Sequence, residues 1–311
     1  MLYPMLFKPI RKEMLWGYES WDISCRPLEM SLVENGSFEG KTFLEVIQSD
    51  PIAMLGTNNE TFPLLIKIIV AHDDLSVQVH PDDNYASTNG FESGKSEMWY
   101  VLKTPGRLII GLKDGTTPKQ LKNNTMQCLN ELAVKAGDMI DIRPGLVHAI
   151  VGGTAVVEVQ QNSDVTFRIY DYGRKDQAGN PRELHIEHAL AVTDFAGSIP
   201  KSVCESVATP FFSVSKLVVN GIKKESTTPE SFSIYTNVEG FCMVNDVELS
   251  LHRSVFLPAG IGSHIIKGSA TLLKTTGGLQ KPRLKRSKQR RNSLPTLLAR
   301  LKTRVFGDGL H

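Results

Sequence analysis

The apolar and polar positions of this chain follow mostly the pattern of short β-strands. Residues 63–70 are apolar except for Lys67, as is typical of a buried strand. A lysine inside such a run is costly unless an anion pairs with it. Further strands are predicted at 131–134, 154–160 and 165–170, with a strand, turn and strand over 134–142 and short strands with turns from 213 to about 278. With frequent glycine and proline between them, these strands indicate a sandwich or barrel core.

Helices are few in the pattern. One short helix is predicted at 40–47, and another at 116–130, with Thr117 as its N-cap and Pro118 in its first turn. Residues 182–195 have helical periodicity on one apolar face. The expected fold is therefore mainly β, with a few inserted helices.

Composition changes this picture little. The chain has 311 residues, 41% of them hydrophobic and 22% charged, which is ordinary for a globular protein. No apolar run approaches the ~20 residues of a membrane span, and Pro4, Lys8 and Pro9 interrupt any signal-peptide core. The four cysteines have no CxxC spacing, which favours a reduced compartment over a disulfide framework. We therefore expect a cytoplasmic protein that does not enter a membrane.

Charge is distributed unevenly along the chain. Residues 281–311 hold ten basic residues and one acidic residue, so the whole-chain charge of +2 leaves −7 on residues 1–280. A basic stretch of this kind is typical of nucleic-acid or anionic-surface contacts. Because only Phe306 supplies an aromatic ring there, we predict no specific nucleic-acid binding. We interpret the tail as a disordered or non-native extension.

Four side chains on β-type segments form a candidate metal site. Gln78 and His80 are two residues apart, so on a strand they share one face. Glu97 precedes another apolar strand, and His148 follows a Pro-Gly turn. Each alone is more often a satisfied core polar group, but one amide, one carboxylate and two imidazoles together suit a divalent metal such as zinc.

Several motifs make the chain resemble a known family, the type I mannose-6-phosphate isomerases in their short bacterial form. The matching stretches lie between about residues 5 and 278, at 16–24, 62–67, 75–83, 94–100, 144–149 and 163–168. The resemblance implies cupin-type jelly-roll barrels, with a catalytic domain at 1–195 and a smaller β domain at 196–280. The tail, residues 281–311, departs from the family pattern.

The resemblance also implies functions for particular residues. One zinc ion per chain would be bound by the four side chains above, Gln78, His80, Glu97 and His148. The catalytic arginine of the family falls on Arg168, and its phosphate-contacting serine and lysine fall on Ser76 and Lys67. Lys95, Glu158 and Asp164 match polar active-site positions whose individual functions stay open. The implied reaction interconverts mannose 6-phosphate and fructose 6-phosphate through a cis-enediol(ate).

Some interpretations stay open on sequence alone. Glu158 is a candidate for the proton-transferring base, or it pairs structurally with a lysine. The His185-x-x-His188 spacing resembles a metal motif, but the charged neighbours favour a solvated helix edge. Asp82 and Asp83 are expected to cap a turn or short helix. The oligomeric state and the pathway served are left open.

Two other functions compete with an isomerase. A non-catalytic sugar-phosphate sensor would bind the phosphorylated hexose without zinc-dependent turnover. A cupin-type metal oxygenase would prefer iron and consume oxygen. The usual His-x-His pair of such oxygenases is replaced here by Gln78-x-His80, which counts against that function.

Overall fold

The computed structural model describes residues 1–176, 178–197, 199–200 and 205–278. Within them, the strands are β1 Met5–Leu6, β2 Ile10–Met14, β3 Gly17–Ile23, β4 Cys25–Arg26, β5 Glu29–Met30, β6 Leu64–Ala71, β7 Val77–Val79, β8 Glu97–Val101, β9 Gly106–Leu112, β10 Leu129–Val134, β11 Met139–Ile142, β12 His148–Ile150, β13 Ala155–Gln161, β14 Phe167–Tyr170, β15 Ser206–Ala208, β16 Phe212–Ser226, β17 Ser233–Val244, β18 Val247–Leu249, β19 Ser254–Leu257 and β20 Ser263–Gly277. The helices are α1 Phe43–Ser49, α2 Pro51–Leu55, α3 Asp83–Thr88, α4 Pro118–Asn123 and α5 Ile186–Val192.

Two antiparallel sheets form the barrel that positions the site. One has the strand order β10-β9-β12-β7-β14, and the other β11-β8-β13-β6-β3-β2. Apolar residues of both sheets, such as Ile110 and Val156, pack in one cluster between them. The jelly-roll, mainly β fold predicted from the sequence is confirmed, with few helices among the described residues.

The alternation within β6 and β13 sends polar side chains into the barrel. Ile66, Ile68, Val157 and Val159 pack outward, against the aromatic core shared with α1, α2 and the C-terminal sheet. Their neighbours in sequence therefore point inward, because successive strand residues face opposite sides of a sheet. Lys67 and Glu158, which are directly opposite each other in the ladder, consequently share the interior face.

The helices are shorter than predicted from periodicity. Thr117 caps α4 as expected, in a capping box with Gln120, but the helix ends at Asn123 and a 3₁₀ turn follows before β10. The helix predicted at 182–195 spans only α5. The first turn of the predicted helix is irregular because its residues bond to other elements. The Arg182 side chain donates to Asp171, and the Glu183 carbonyl accepts from Arg168.

The C-terminal sheet departs from the pattern of short strands. β16 and β20 are each 15 residues long and pair along their whole length. The N-terminus joins this sheet, since β1 pairs with β19.

The predicted domain boundary at residue 195 stays a prediction, and the basic tail lies outside the described residues. Cys25, Cys128 and Cys242 are free thiols. In the described part of the chain, no helix is both long and apolar enough to cross a bilayer.

Candidate active site and metal centre

The candidate metal ligands come from both sheets of the barrel. β12 pairs with β7 so that His148 lies directly opposite Gln78, and directly opposite residues share a face. His80 follows β7 by one residue, and Glu97 begins β8 in the other sheet. The fold thus brings together residues that are up to 70 positions apart, as the sequence predicted for this set.

Three of the predicted ligands form a compact, fully buried cluster. One ligand atom from each of His80, Glu97 and His148 lies within 4.8 Å of the others. His80 Nε2 is 3.4 Å from Glu97 Oε1, and His148 Nε2 is 3.8 Å from Glu97 Oε2. Both carboxylate oxygens are buried, and Oε2 accepts no hydrogen bond, which is costly for an anion, whereas Oε1 is paired with Lys95. A bound cation would satisfy Oε2.

Backbone contacts orient both imidazoles toward this cluster. His80 Nδ1 is 2.8 Å from the Val165 carbonyl oxygen, and His148 Nδ1 is 2.8 Å from that of Leu146. Each contact places the proton on Nδ1, because a carbonyl only accepts. The two Nε2 atoms then carry lone pairs that can bind a metal, which is the usual arrangement of ligating histidines.

Burial also keeps these imidazoles neutral. Desolvation lowers the pKa of His148 to about 4, and it lowers the pKa of His80 well below its usual value, with Lys95 adding to the effect. A neutral imidazole has the lone pair that a metal requires. The donor set therefore fits a divalent cation such as zinc.

Gln78 and Lys95 complete the surroundings of the cluster. The Gln78 amide nitrogen lies 3.4 Å from His148 Nε2, while its oxygen faces Ser76 Oγ at 3.5 Å. The nitrogen and oxygen of an amide are nearly isosteric and exchange by a 180° rotation. Lys95 Nζ is 2.5 Å from Glu97 Oε1 and 3.4 Å from His80 Nε2, so an internal cation already neutralises the carboxylate.

A second charged network lies on the interior face of β6 and β13. Lys67 Nζ is 2.8 Å from Glu158 Oε1 and 3.6 Å from Glu19 Oε2. The indole of Trp99 donates to Glu158 Oε2 at 2.7 Å, and the indole of Trp21 donates to Glu19 Oε2 at 2.6 Å. Burial lowers the pKa of Lys67, but the nearby carboxylates outweigh it and raise that pKa above its ordinary value.

Lys67→Met is expected to lower the free energy of unfolding by about 3–5 kcal/mol, because it leaves two buried carboxylates without their cation. The matched control is Lys12→Met, since the ion pair of Lys12 with Glu29 is about one-third exposed. That control should cost less than about 1 kcal/mol. Urea titrations of the three proteins measure both differences, and equal costs would contradict a buried, tightly coupled Lys67.

A cavity of about 300 Å³ is lined by Lys67, Glu158 and Glu19 of the second network and by Gln78 and Lys95 beside the metal cluster. Seven of the predicted site residues line it: Lys67, Ser76, Gln78, Lys95, Glu158, Asp164 and Arg168. Asp164 lies at its rim, where its 76% exposed side chain pairs with Arg26 at 2.8 Å. A groove of about 440 Å³ elsewhere, lined by residues such as Met126 and Leu184, contains none of the predicted residues.

Arg168 lies beside the metal cluster, directly opposite Gln78 in the β14–β7 ladder. Its NH1 donates to the Glu183 carbonyl at 2.8 Å, while its buried Nε has no partner. Burial lowers the pKa of this guanidinium, with Arg182 adding to the effect. A half-buried cation that lines a cavity and has an unpaired N–H is suited to a developing negative charge.

Some cavity residues were missed by sequence reasoning. Trp99 and Trp21 orient the carboxylates, and the buried Gln160 lines the cavity, with its amide nitrogen bonded to backbone carbonyls. The alternation in β13 places Gln160 on the same face as Glu158, and this pattern could have predicted Gln160 as a cavity residue.

Asp82 caps α3, as predicted. His185 and His188 lie apart from the one metal-type cluster found in the described residues.

Comparisons with known proteins identify relatives of this chain. The family model for the phosphomannose isomerase type I catalytic domain matches residues 12–100. The mannose-6-phosphate isomerase ManA of Bacillus subtilis is 37% identical over 223 residues, covering 64% of this chain and 70% of ManA. YvyI of the same organism is 33% identical over 312 residues, covering 87% of this chain and 98% of YvyI.

A solved structure extends the agreement to the fold. The crystal structure of the mannose 6-phosphate isomerase from Bacillus subtilis matches with a TM-score of 0.79 and 31% identity. The match covers 88% of this chain and 99% of that one. The resemblance inferred from the motifs is confirmed: the chain belongs to the type I phosphomannose isomerase family.

Proposed function

We propose that this protein is a zinc-dependent aldose–ketose isomerase that interconverts mannose 6-phosphate and fructose 6-phosphate. The observation that carries the proposal is one cavity lined by Gln78, Lys67 and Arg168 beside a buried His-Glu-His cluster. Membership of the family and the names of its relatives supply mannose 6-phosphate as the substrate, and fructose 6-phosphate is the ketose isomer of that sugar. A phosphorylated hexose is thus the expected ligand.

The ligands proposed for zinc are Gln78, His80, Glu97 and His148, with one ion per chain. Only Glu97 among them is anionic, so the site retains positive charge. When bound there, zinc supplies Lewis-acid polarisation of a substrate oxygen. The chain excludes water from the ligands and fixes their orientation, since His80, Glu97 and His148 are at most 1% exposed.

Isomerisation needs a proton moved from C2 to C1 through a cis-enediolate. We assign the proton transfer to Glu158, which is 2% exposed and held in place by Lys67 and Trp99. Arg168 would stabilise the oxyanion charge that develops as the C2 proton leaves. Lys95, beside the metal cluster, offers a further N–H donor to a substrate oxygen.

Further side chains of the same cavity would hold the substrate. An ammonium group has three donors, so Lys67 retains capacity for a phosphate oxygen beyond its contacts with Glu158 and Glu19. We assign phosphate contacts to Lys67 and Ser76, and a hydroxyl contact to Asp164. Holding the open-chain sugar in this way lowers the barrier, because its translational and rotational entropy is lost on binding and not in the reaction step.

An isotope experiment tests the enediolate proposal. The protein is incubated with mannose 6-phosphate in heavy water, and the fructose 6-phosphate formed is examined by NMR. Exchange at the base should introduce deuterium at C1 of the product. Because the buried base can return the same proton to C1 in one turnover, label is read after many reversible cycles. Absence of deuterium at C1 after those cycles would contradict the enediolate, and binding without turnover would favour a sugar-phosphate sensor instead.

A further inference from the structure

We propose that His185 is a positioning residue that fixes the backbone of Arg168, an inference that rests on the proposed isomerase function. The two residues exchange a pair of hydrogen bonds. The Arg168 N–H donates to His185 Nδ1 at 3.2 Å, and the His185 N–H donates to the Arg168 carbonyl at 2.7 Å. The side chain of His185 thus completes a two-bond pairing that a neighbouring strand would normally supply.

The position of Arg168 explains why such pairing is needed. Among the strands of the described residues, β14 is the last of its sheet and pairs only with β7. At Arg168 both backbone groups point away from β7, since both are bonded to His185. Without that partner they would face the unpaired sheet edge, where strands fray most easily. The ladder is also irregular between Arg168 and Tyr170.

The same short segment holds the guanidinium. The Glu183 carbonyl accepts from Arg168 NH1 at 2.8 Å, two residues before His185. The residues from 183 to 185 therefore contact Arg168 at its N–H, its C=O and its side chain. His185 precedes α5 and makes no side-chain cap hydrogen bond to the helix, because its Nδ1 is directed at Arg168.

The two histidines of the His185-x-x-His188 motif have different surroundings. His188 Nδ1 is 2.9 Å from the Tyr85 hydroxyl, and its ring stacks on Phe167 at 4.9 Å. Only His185 bonds the backbone of Arg168. The metal-like spacing is therefore explained by one packing residue and one positioning residue.

Amide hydrogen exchange tests the hydrogen bond directly, whatever reaction the protein catalyses. In His185→Ala, the Arg168 N–H should exchange up to about tenfold faster than in the wild type, because one hydrogen bond is lost. In His185→Asn, Oδ1 replaces Nδ1 as acceptor, and protection should return. Glu187→Ala, an exposed change on the same helix, is the control. Unchanged exchange at Arg168 in His185→Ala would overturn the proposal.

Kinetics test the consequence for catalysis. His185→Ala should lower kcat about 10–100-fold through misplacement of Arg168, with KM nearly unchanged and zinc retained. His185→Asn should recover most of kcat. Equal losses in both variants would overturn the positioning function. A wild-type protein without turnover would instead contradict the isomerase proposal, and the exchange result alone would then decide about His185.

Discussion

Replacing Arg168 with alanine is expected to lower kcat by about 10²–10³-fold, because the oxyanion charge loses its fixed cation. The substitution should leave bound zinc in place, since Arg168 is not among the proposed ligands. Arg168→Lys keeps the charge but loses the planar guanidinium with its fixed N–H donors, so it should recover only part of the rate. Steady-state kinetics with zinc analysis of the same samples measure both quantities.

The control for this prediction is Arg107→Ala. Arg107 lies on β9 of the same sheet, but its side chain is 57% exposed and pairs with Glu131 at the surface. It should retain wild-type kcat. Wild-type turnover in Arg168→Ala would remove Arg168 from the mechanism, whereas loss of zinc in that variant would mean that its effect is structural.

Strand-level features of the site could be predicted from sequence because they are local. Two-residue spacing places Gln78 and His80 on one face, and the lysine inside an apolar run required an anion, which the structure supplies as Glu158. The motifs also identified seven residues that line one cavity. Such inferences need only the alternation of a strand and the cost of burying charge.

Contacts between distant elements could not be predicted in this way. The pairing of Trp99 with Glu158 depends on the β8–β13 register, which periodicity does not specify. The helix predicted at 182–195 begins only at Ile186 because residues 182–185 bind Asp171 and Arg168. These tertiary contacts outweigh local helix propensity, so the function of His185 becomes visible only in the structure.

Glu97→Gln is expected to weaken zinc binding by more than about 100-fold and to lower turnover accordingly. The change preserves the size of the side chain but removes the single anionic ligand. It also leaves Lys95 without the carboxylate 2.5 Å away, so an uncompensated cation then repels the metal. Glu131→Gln, an exposed change on β10, is the matched control and should bind zinc normally. Titration against a zinc chelator measures the affinities, and equal affinities would contradict Glu97 as a ligand.

The most direct test of zinc-dependent isomerisation is a coupled assay on metal-stripped protein, with and without added zinc. Conversion of mannose 6-phosphate to fructose 6-phosphate should be lost on stripping and return with zinc in the wild type, but not return at the same zinc concentration in Glu97→Gln. If zinc restores no conversion in the wild type, or if the stripped protein keeps full activity, the proposed zinc-dependent function is wrong.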